Sequence, residues 1–301
     1  MYGIRVKKQL KKGEKNMKKF IATVLAAVAA CTTFCFASCG DKKDEAENIK
    51  VMKEIMLTEE DYAFAIAKEN ADLLSAVNNY LATWESDGSL DTLINSYFDG
   101  TATFTYENKS ASPTENDFVM ATNAYFPPFE YKEGSKFKGV DVEIAYKLAT
   151  AMNKTLFVYD MEFDSIIPSV KNGESDIGMA GMTVNETRRQ QVNFATPYYS
   201  SAQVISVLAS DTTFDACKTA ADVEAILATK DKNYVIGTQN ATTGFMYSAG
   251  NADFEYDGFT NLTTKGYTTG ALAMKDLQNG KINAVILDMQ PSLMIADSMN
   301  K

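Results

Sequence analysis

A chain of 301 residues without a histidine excludes Ser-His-Asp and Cys-His catalysis and imidazole metal sites from the outset. Its formal net charge is −10; eight of the 29 basic but only one of the 39 acidic side chains fall in the first 38 residues, leaving 21 basic against 38 acidic. So acidic a body repels phosphate backbones and argues against nucleic acid as a partner, while a 46% hydrophobic content is enough to pack two lobes.

The first predicted segment, 1–38, is a leader. Within it "MKKFIATVLAAVAACTTFCFAS" (17–38) opens basic and turns apolar, before "CGDKKDEAEN" becomes abruptly polar. That is the pattern of a secretory signal, with Met17 a more natural start than Met1. "FASCG" resembles a bacterial lipobox, whose cysteine takes a lipid and becomes the first mature residue; this predicts lipidation at Cys39, with Cys31 in "VAAC" as the alternative. A retained anchor is the other reading, because the apolar run approaches the roughly 20 residues that span a bilayer. Either way the body lies outside the cytoplasm. Only Cys217 remains in that body, so an internal disulfide is excluded and the thiol reads as structural.

Residues 39–48 form a charged tether. "YAFAIAK" alternates Tyr62, Phe64 and Ile66 with alanines, which predicts a strand. Asn70 then caps a helix carrying Leu73, Val77, Leu81 and Trp84 at helical spacing. "SDGS" breaks it, and Leu90, Leu93, Ile94 and Tyr97 mark a second helix. Residues 99–116 lose all periodicity and gather Ser, Thr, Asn, Gly and Pro, as a linker does.

From Phe118 strands and helices alternate, the signature of an α/β fold with largely parallel sheets. "FVMATN", "TLFVYD" and "DIGMAG" read as strands, with helices over "VDVEIAYKLATAM" and "SIIPSVKNG" between them. After "PYYSSAQVISVLAS" the scheme restarts: a helix at 222–229, strand "NYVIG", a helix after "TTG", strand "FEYDGF", helix "ALAMKDLQNG", strand "NAVILD" and a final helix. This divides the region into lobes at 117–200 and 201–301. "NGESDIGMAGM" and "NGKINAVILDM" echo each other and place Gly181 and Asp288 at equivalent strand ends, where open α/β sheets bind ligands.

Arg188 follows "TVNET", where Asn185 can cap a short helix. A guanidinium on that first turn would grip a carboxylate in a bidentate manner; the plain alternative, a solvated arginine, fits Arg189 beside it. Asp288 ends an apolar strand, where burial demands a cationic partner such as a ligand ammonium, or else it caps the following helix. Phe126 and Phe163 lie on loops after strands, each a core residue or a ligand platform.

"ATNAYFPPFEYKEGSKFKGVDVEIAYKLA", "MEFDSIIPSVKNGESDIGMAGMTVNETRRQQVNFATPYYSS", "GTQNATTG" and "NGKINAVILDMQPSL" occur in order over 117–301. They closely resemble the polar amino acid-binding proteins of ABC importers, the family 3 solute-binding proteins with the type II periplasmic binding protein fold. By that resemblance Arg188 clamps an α-carboxylate with Thr183 and the backbone amides near Thr243, and Asp288 and the Gly181 carbonyl hold the α-ammonium. Phe126 and Phe163 sandwich the ligand side chain, with Asn123 and Gln239 at its polar end. No metal or cofactor is implied. The implied ligand is a free L-amino acid; because Asn123 is uncharged where some relatives carry a carboxylate, a neutral polar one such as glutamine is expected. The implied partner is an ABC transporter permease, served by a monomer tethered to the membrane by its lipid. One departure is Ala241, standing where the family commonly has glycine.

Family members continue past the last helix with further strands and two terminal helices, and the missing parts resemble residues 49–98. The resemblance therefore implies a circularly permuted order, with crossings between lobes expected at 198–207 and 49–57. A truncated binding protein behind an unrelated leader is the alternative. For function, a dehydratase resembling cyclohexadienyl dehydratase and a ligand-sensing surface module are the rivals.

Overall fold

The computed structural model describes residues 48–301. The leader, both candidate lipidation cysteines and nearly all of the tether lie outside the described residues. The strands are β1 (Ile49–Val51), β2 (Glu60–Tyr62), β3 (Ala65–Ile66), β4 (Asp117–Thr122), β5 (Tyr125–Phe126), β6 (Glu130–Glu133), β7 (Lys136–Lys138), β8 (Thr155–Asp160), β9 (Ile177–Gly178), β10 (Asn193–Phe194), β11 (Tyr199–Ser201), β12 (Gln203–Leu208), β13 (Val235–Gln239), β14 (Thr263–Tyr267) and β15 (Ala284–Asp288). The helices are α1 (Ala71–Ser86), α2 (Ser89–Phe98), α3 (Val140–Ala151), α4 (Ile166–Lys171), α5 (Glu186–Arg189), α6 (Ala220–Leu227), α7 (Thr243–Ala249), α8 (Gly270–Gln278) and α9 (Met289–Met299).

Two five-stranded sheets organise them, in the orders β10-β3-β9-β4-β8 and β1-β12-β15-β13-β14. In each, three strands run parallel: β4 with β8 and β9 in the first, β13 with β14 and β15 in the second. The other members join antiparallel. The two-lobed α/β reading thus holds, with mixed sheets whose parallel strands feed the helices that cover them.

Two segments run side by side between the sheets. Tyr199, Ser200 and Ser201 pair antiparallel with Tyr62, Asp61 and Glu60. The second crossing is therefore at 58–62 and not at 49–57, since Ile49–Val51 is already an edge strand of the second sheet, paired with 206–208. The alternation in "YAFAIAK" survives, but the strand is split at Ala63 and Phe64. Both of its faces are buried: Tyr62, Phe64 and Ile66 enter the main core with Phe118, Met120 and Leu148, while Ala65 packs with Ala121, Ile166 and Val170. Large residues face the wide space and alanines the narrow one.

Asn70 caps α1 as its position predicted, its side chain accepting from the Leu73 amide. Val77, Leu81, Leu90, Ile94 and Tyr97 of α1 and α2 join the same core as Phe118 and Leu148. Residues 99–116 form no ladder of their own, yet they are anchored. Tyr106 and Phe137 exchange backbone hydrogen bonds, the Tyr106 hydroxyl donates to the Leu156 carbonyl, and the Asn108 amide both donates to and accepts from the Val158 backbone at 2.8 Å. Asn108 thereby closes the open edge of β8, which would otherwise offer unpaired backbone groups.

One predicted strand is corrected. "FEYDGF" begins at the end of a 3-10 turn, Ala252–Phe254, and continues with Glu255 at φ 57°, a left-handed conformation outside the extended region. Tyr256 and Phe259 pack on Tyr247, and Phe254 stacks on Tyr256, instead of pairing in a sheet; the strand lies later, at Thr263–Tyr267.

Candidate functional site

Asn123, Phe126, Phe163, Gly181, Thr183, Arg188, Gln239, Thr243 and Asp288 all line one void between the lobes, joined by Glu130, Ala180 and Thr242. Its space is about 300 Å³, counting the part open to solvent.

Arg188 arrives on the single turn of α5, capped by Asn185, whose side-chain oxygen accepts from the Arg188 amide at 2.8 Å. Unlike exposed Arg189, it is only 6% exposed. Its Nη1 donates to the Thr183 carbonyl at 2.6 Å and its Nη2 to the Ala241 carbonyl of the other lobe at 3.0 Å. The guanidinium carbon sits 5.3 Å from the Phe163 ring centroid, so the ring faces a cation that further donors can extend to an anion. Burial lowers its pKa to about 10, opposed by Glu60 and Asp288.

Asp288 ends β15 and makes no side-chain cap to α9, which removes the capping alternative. Its Oδ1 accepts from the Tyr62 hydroxyl. Burial, and then the nearby charge of Glu60, raise its carboxyl to about 7.

The Thr183 hydroxyl is occupied, donating to Glu60 Oε2 at 2.6 Å, while Thr58 donates to Oε1 at 2.6 Å. The Thr243 hydroxyl, on the first residue of α7, meets no partner among the described residues. Gly181 has φ 51°, and a Cβ there would stand 2.7 Å from the Phe126 ring, so glycine permits both the turn and the close approach. Its amide donates to Asp141 Oδ2 at 3.0 Å. Asn123 and Gln239 meet across the lobes, Gln239 Nε2 donating to Asn123 Oδ1 at 3.0 Å.

Residues 118–236 match the family model of bacterial extracellular solute-binding proteins, family 3. ABC transporter arginine-binding protein 1 of Escherichia coli is 33% identical over 188 residues, 62% of this chain and 68% of that protein. The chain belongs to the family 3 solute-binding proteins.

Other members of the family align over shorter stretches. The chain is 37% identical to the arginine-binding extracellular protein ArtP of Bacillus subtilis over 33% of this chain and 38% of that one. It is 33% identical to the arginine-binding periplasmic protein of Mannheimia haemolytica over 57% and 62%; it thus spans less than two thirds of the length of either. Among solved structures, an ancestral arginine-binding protein bound to arginine superposes with a TM-score of 0.51 at 25% identity, over 61% of this chain and 75% of that one. An ancestral amino acid-binding protein, a precursor of cyclohexadienyl dehydratase, does so at 0.52 and 24%, over 61% and 74%, a likeness of fold.

Three buried acidic or phenolic groups of this family member escaped the sequence reading. Tyr62 was taken only as part of a strand, and neither Glu60 nor Glu130, inside "PFEY", had a role assigned. Glu130 is 1% exposed; burial first, and Asp141 next, hold its carboxyl protonated well above the usual range. Asp141, raised by burial to about 6, accepts from the Tyr198 hydroxyl and the Gly181 amide.

Proposed function

We propose that this protein captures one free L-amino acid between its lobes and delivers it to an ABC transporter permease, as a monomeric lipoprotein held outside the cytoplasm by a lipid on Cys39. The observation that carries the reading is the placement of Arg188 and Asp288 in opposite lobes on one void. A zwitterion offers a carboxylate to the guanidinium and an ammonium to the carboxylate. Each charge leaves water only by meeting a fixed partner, so closing the lobes and binding the ligand become one event. Thr243 assists at the carboxylate, Thr183 does so through the carbonyl that holds Arg188 Nη1, and the Gly181 carbonyl serves the ammonium, while Phe126 and Phe163 flank the side chain and Asn123 and Gln239 lie beyond it. The family's relatives named for arginine binding support the amino acid as ligand class.

In the same reading, residues 49–98 are the family's closing segment placed first, with 39–48 as tether, 99–116 as the join, and lobes at 117–200 and 201–301. Their packing against the first lobe and their strand in the crossing support it. Transport is non-enzymatic. A dehydratase on this frame would need an acid facing the ligand, and Glu130 is the residue able to serve; incubation with prephenate and arogenate tests for it. A thermal-shift screen of the free amino acids tests the main reading: a rise in melting temperature with one or a few is expected, and no shift with any would overturn it. Mass spectrometry of the membrane-bound form locates the lipid, and a lipid on Cys31 would move the mature start.

A further inference from the structure

Glu60 is not among the residues lining the void, yet it is an acid buried at the second crossing, 6% exposed. Alternation along β2 turns Glu60 and Tyr62 to one buried face and leaves Asp61 exposed on the other. Thr58 Oγ1 accepts from the Gln203 amide at 2.9 Å, so its single proton goes to Glu60 Oε1 at 2.6 Å. Gln203 opens β12, and its carbonyl accepts from the Leu57 amide, so Thr58 moves with the second sheet. On the other side Glu60 Oε2 accepts from the Thr183 hydroxyl at 2.6 Å. The loop that carries Thr183 is joined to the crossing by the Ala63 amide on the Met182 carbonyl and by the Val184 amide on the Asp61 carbonyl. Both Glu60 oxygens thus act as acceptors, as a carboxylate's do. One planar group fixes a hydroxyl of the second lobe against a hydroxyl of the first, and a rotation that parts them breaks a charge-assisted bond.

The same carboxylate stands near Asp288. Tyr62, on the same face of β2, donates to the Asp288 carboxyl. Around that carboxyl are Glu60 and Tyr62 of β2, Arg188 of α5, Glu130 of β6, Tyr199 of β11 and Gln203 of β12. Tyr256 of the second lobe faces Glu60 as well. Thr183 stands between Glu60 and Arg188, giving its hydroxyl to the acid and its carbonyl to the guanidinium. Glu60 is therefore answered from within the chain, whereas Asp288 opens on the void. Burial first, and the Glu60 charge next, raise the Asp288 carboxyl, as like charges in a dry site do.

We propose that Glu60 is a positioning residue for ligand capture: it clasps the two lobes at the second crossing and stands as the fixed negative charge against which Asp288 ionises to receive an ammonium. This rests on the amino-acid reading of the site and extends it to a residue outside the void. The two roles are separable. The clasp depends on reach, since two hydroxyls must meet one carboxylate; the opposition to Asp288 depends on charge. A proton and a ligand ammonium compete for Asp288, and Glu60 sets the pH at which the ligand prevails.

Titration calorimetry of the intact protein with the free L-amino acids, arginine first, from pH 5.5 to 8.5 tests the inference. Glu60→Gln keeps the length of the side chain and loses its charge; the midpoint of the fall in affinity is expected about one pH unit below the parent's. Glu60→Asp keeps the charge but is one methylene too short to reach both hydroxyls, and should weaken binding at pH 8.5 about tenfold. A residue that served folding alone would lower the melting temperature of both variants and leave the midpoint where it was. Should Glu60→Gln fail to fold, Glu60→Asp decides. A midpoint unmoved or raised in folded Glu60→Gln, or parent-like affinity in folded Glu60→Asp, would overturn the proposal while leaving the amino-acid reading intact. Failure of every amino acid to bind the parent would overturn that reading itself, and the proposal with it.

Discussion

The Tyr62 hydroxyl donates a hydrogen bond to the Asp288 carboxylate, joining residues 226 positions apart. Tyr62 belongs to the crossing between the lobes, opposite Tyr199, so the acid at the end of β15 is held from the hinge. An ammonium needs that acid ionised, and its pKa stands at about 7, raised by burial and by Glu60. Affinity should therefore be flat above about pH 8 and fall by about tenfold for each unit below 7, as binding comes to require release of a proton. Asp288→Asn should abolish this dependence along with most of the affinity. Tyr62→Phe removes a bond that favours the carboxylate, and should move the midpoint to higher pH. Titration calorimetry from pH 5.5 to 8.5 measures both, and an affinity indifferent to pH across that range would remove Asp288 from the ammonium site.

Arg188→Ala should cost roughly 3 to 5 kcal/mol of binding, on the order of a hundredfold or more, because the ligand carboxylate would be buried without its partner. The same change deletes the bond to the Ala241 carbonyl across the lobes. Arg188→Lys keeps a charge but not the fork of donors, so its loss should be smaller yet still large. A folded Arg188→Ala protein that binds like the parent would refute the carboxylate assignment.

Ala241 has φ 60°, a left-handed backbone in which a Cβ is crowded. Glycine relieves that strain at some cost in unfolded-chain entropy, so Ala241→Gly should stabilise the protein by about 0.5–1 kcal/mol. The variant should melt a few degrees higher, and a lower melting temperature would show that the turn is not strained.

The nine residues named from sequence motifs all reach the void because each motif ends a strand or opens a helix, and in open sheets such ends converge. Pattern alone reads that far. Glu60 could not be found this way: as part of a short strand it looks solvated, and its partner Thr183 is 123 positions away. Glu130 was hidden for a related reason, since only the fold shows it buried beside Asp141. The strand expected at "FEYDGF" failed where aromatic alternation was driven by packing on Tyr247, and the grip of Asn108 on β8 leaves no periodic trace in a polar stretch.

The last prediction concerns the order of the chain. Asn300 and Ile49 clasp each other: the Asn300 side chain accepts from the Ile49 amide at 2.8 Å and donates to its carbonyl at 2.9 Å. A few added residues would therefore bridge 301 to 49 without disturbing either sheet, and such surface joins are well tolerated. A chain ordered 117–301 and then 49–108, cut within the join, should fold and bind the same amino acid as the parent. Retaining 99–108 keeps Tyr106 and Asn108 on the β7 and β8 backbones. Residues 117–301 alone should fail. They lack Val77, Leu81, Leu90, Ile94 and Tyr97, all buried in the first lobe. At about 1.5–3 kcal/mol for each large side chain buried, their removal rivals the whole stability of a domain, about 5–15 kcal/mol. The fragment also loses Tyr62 and Glu60 from the site. Chemical denaturation and ligand titration of the two chains decide the matter. A stable, fully active 117–301 fragment would show that 49–98 is a leader and no part of the binding fold.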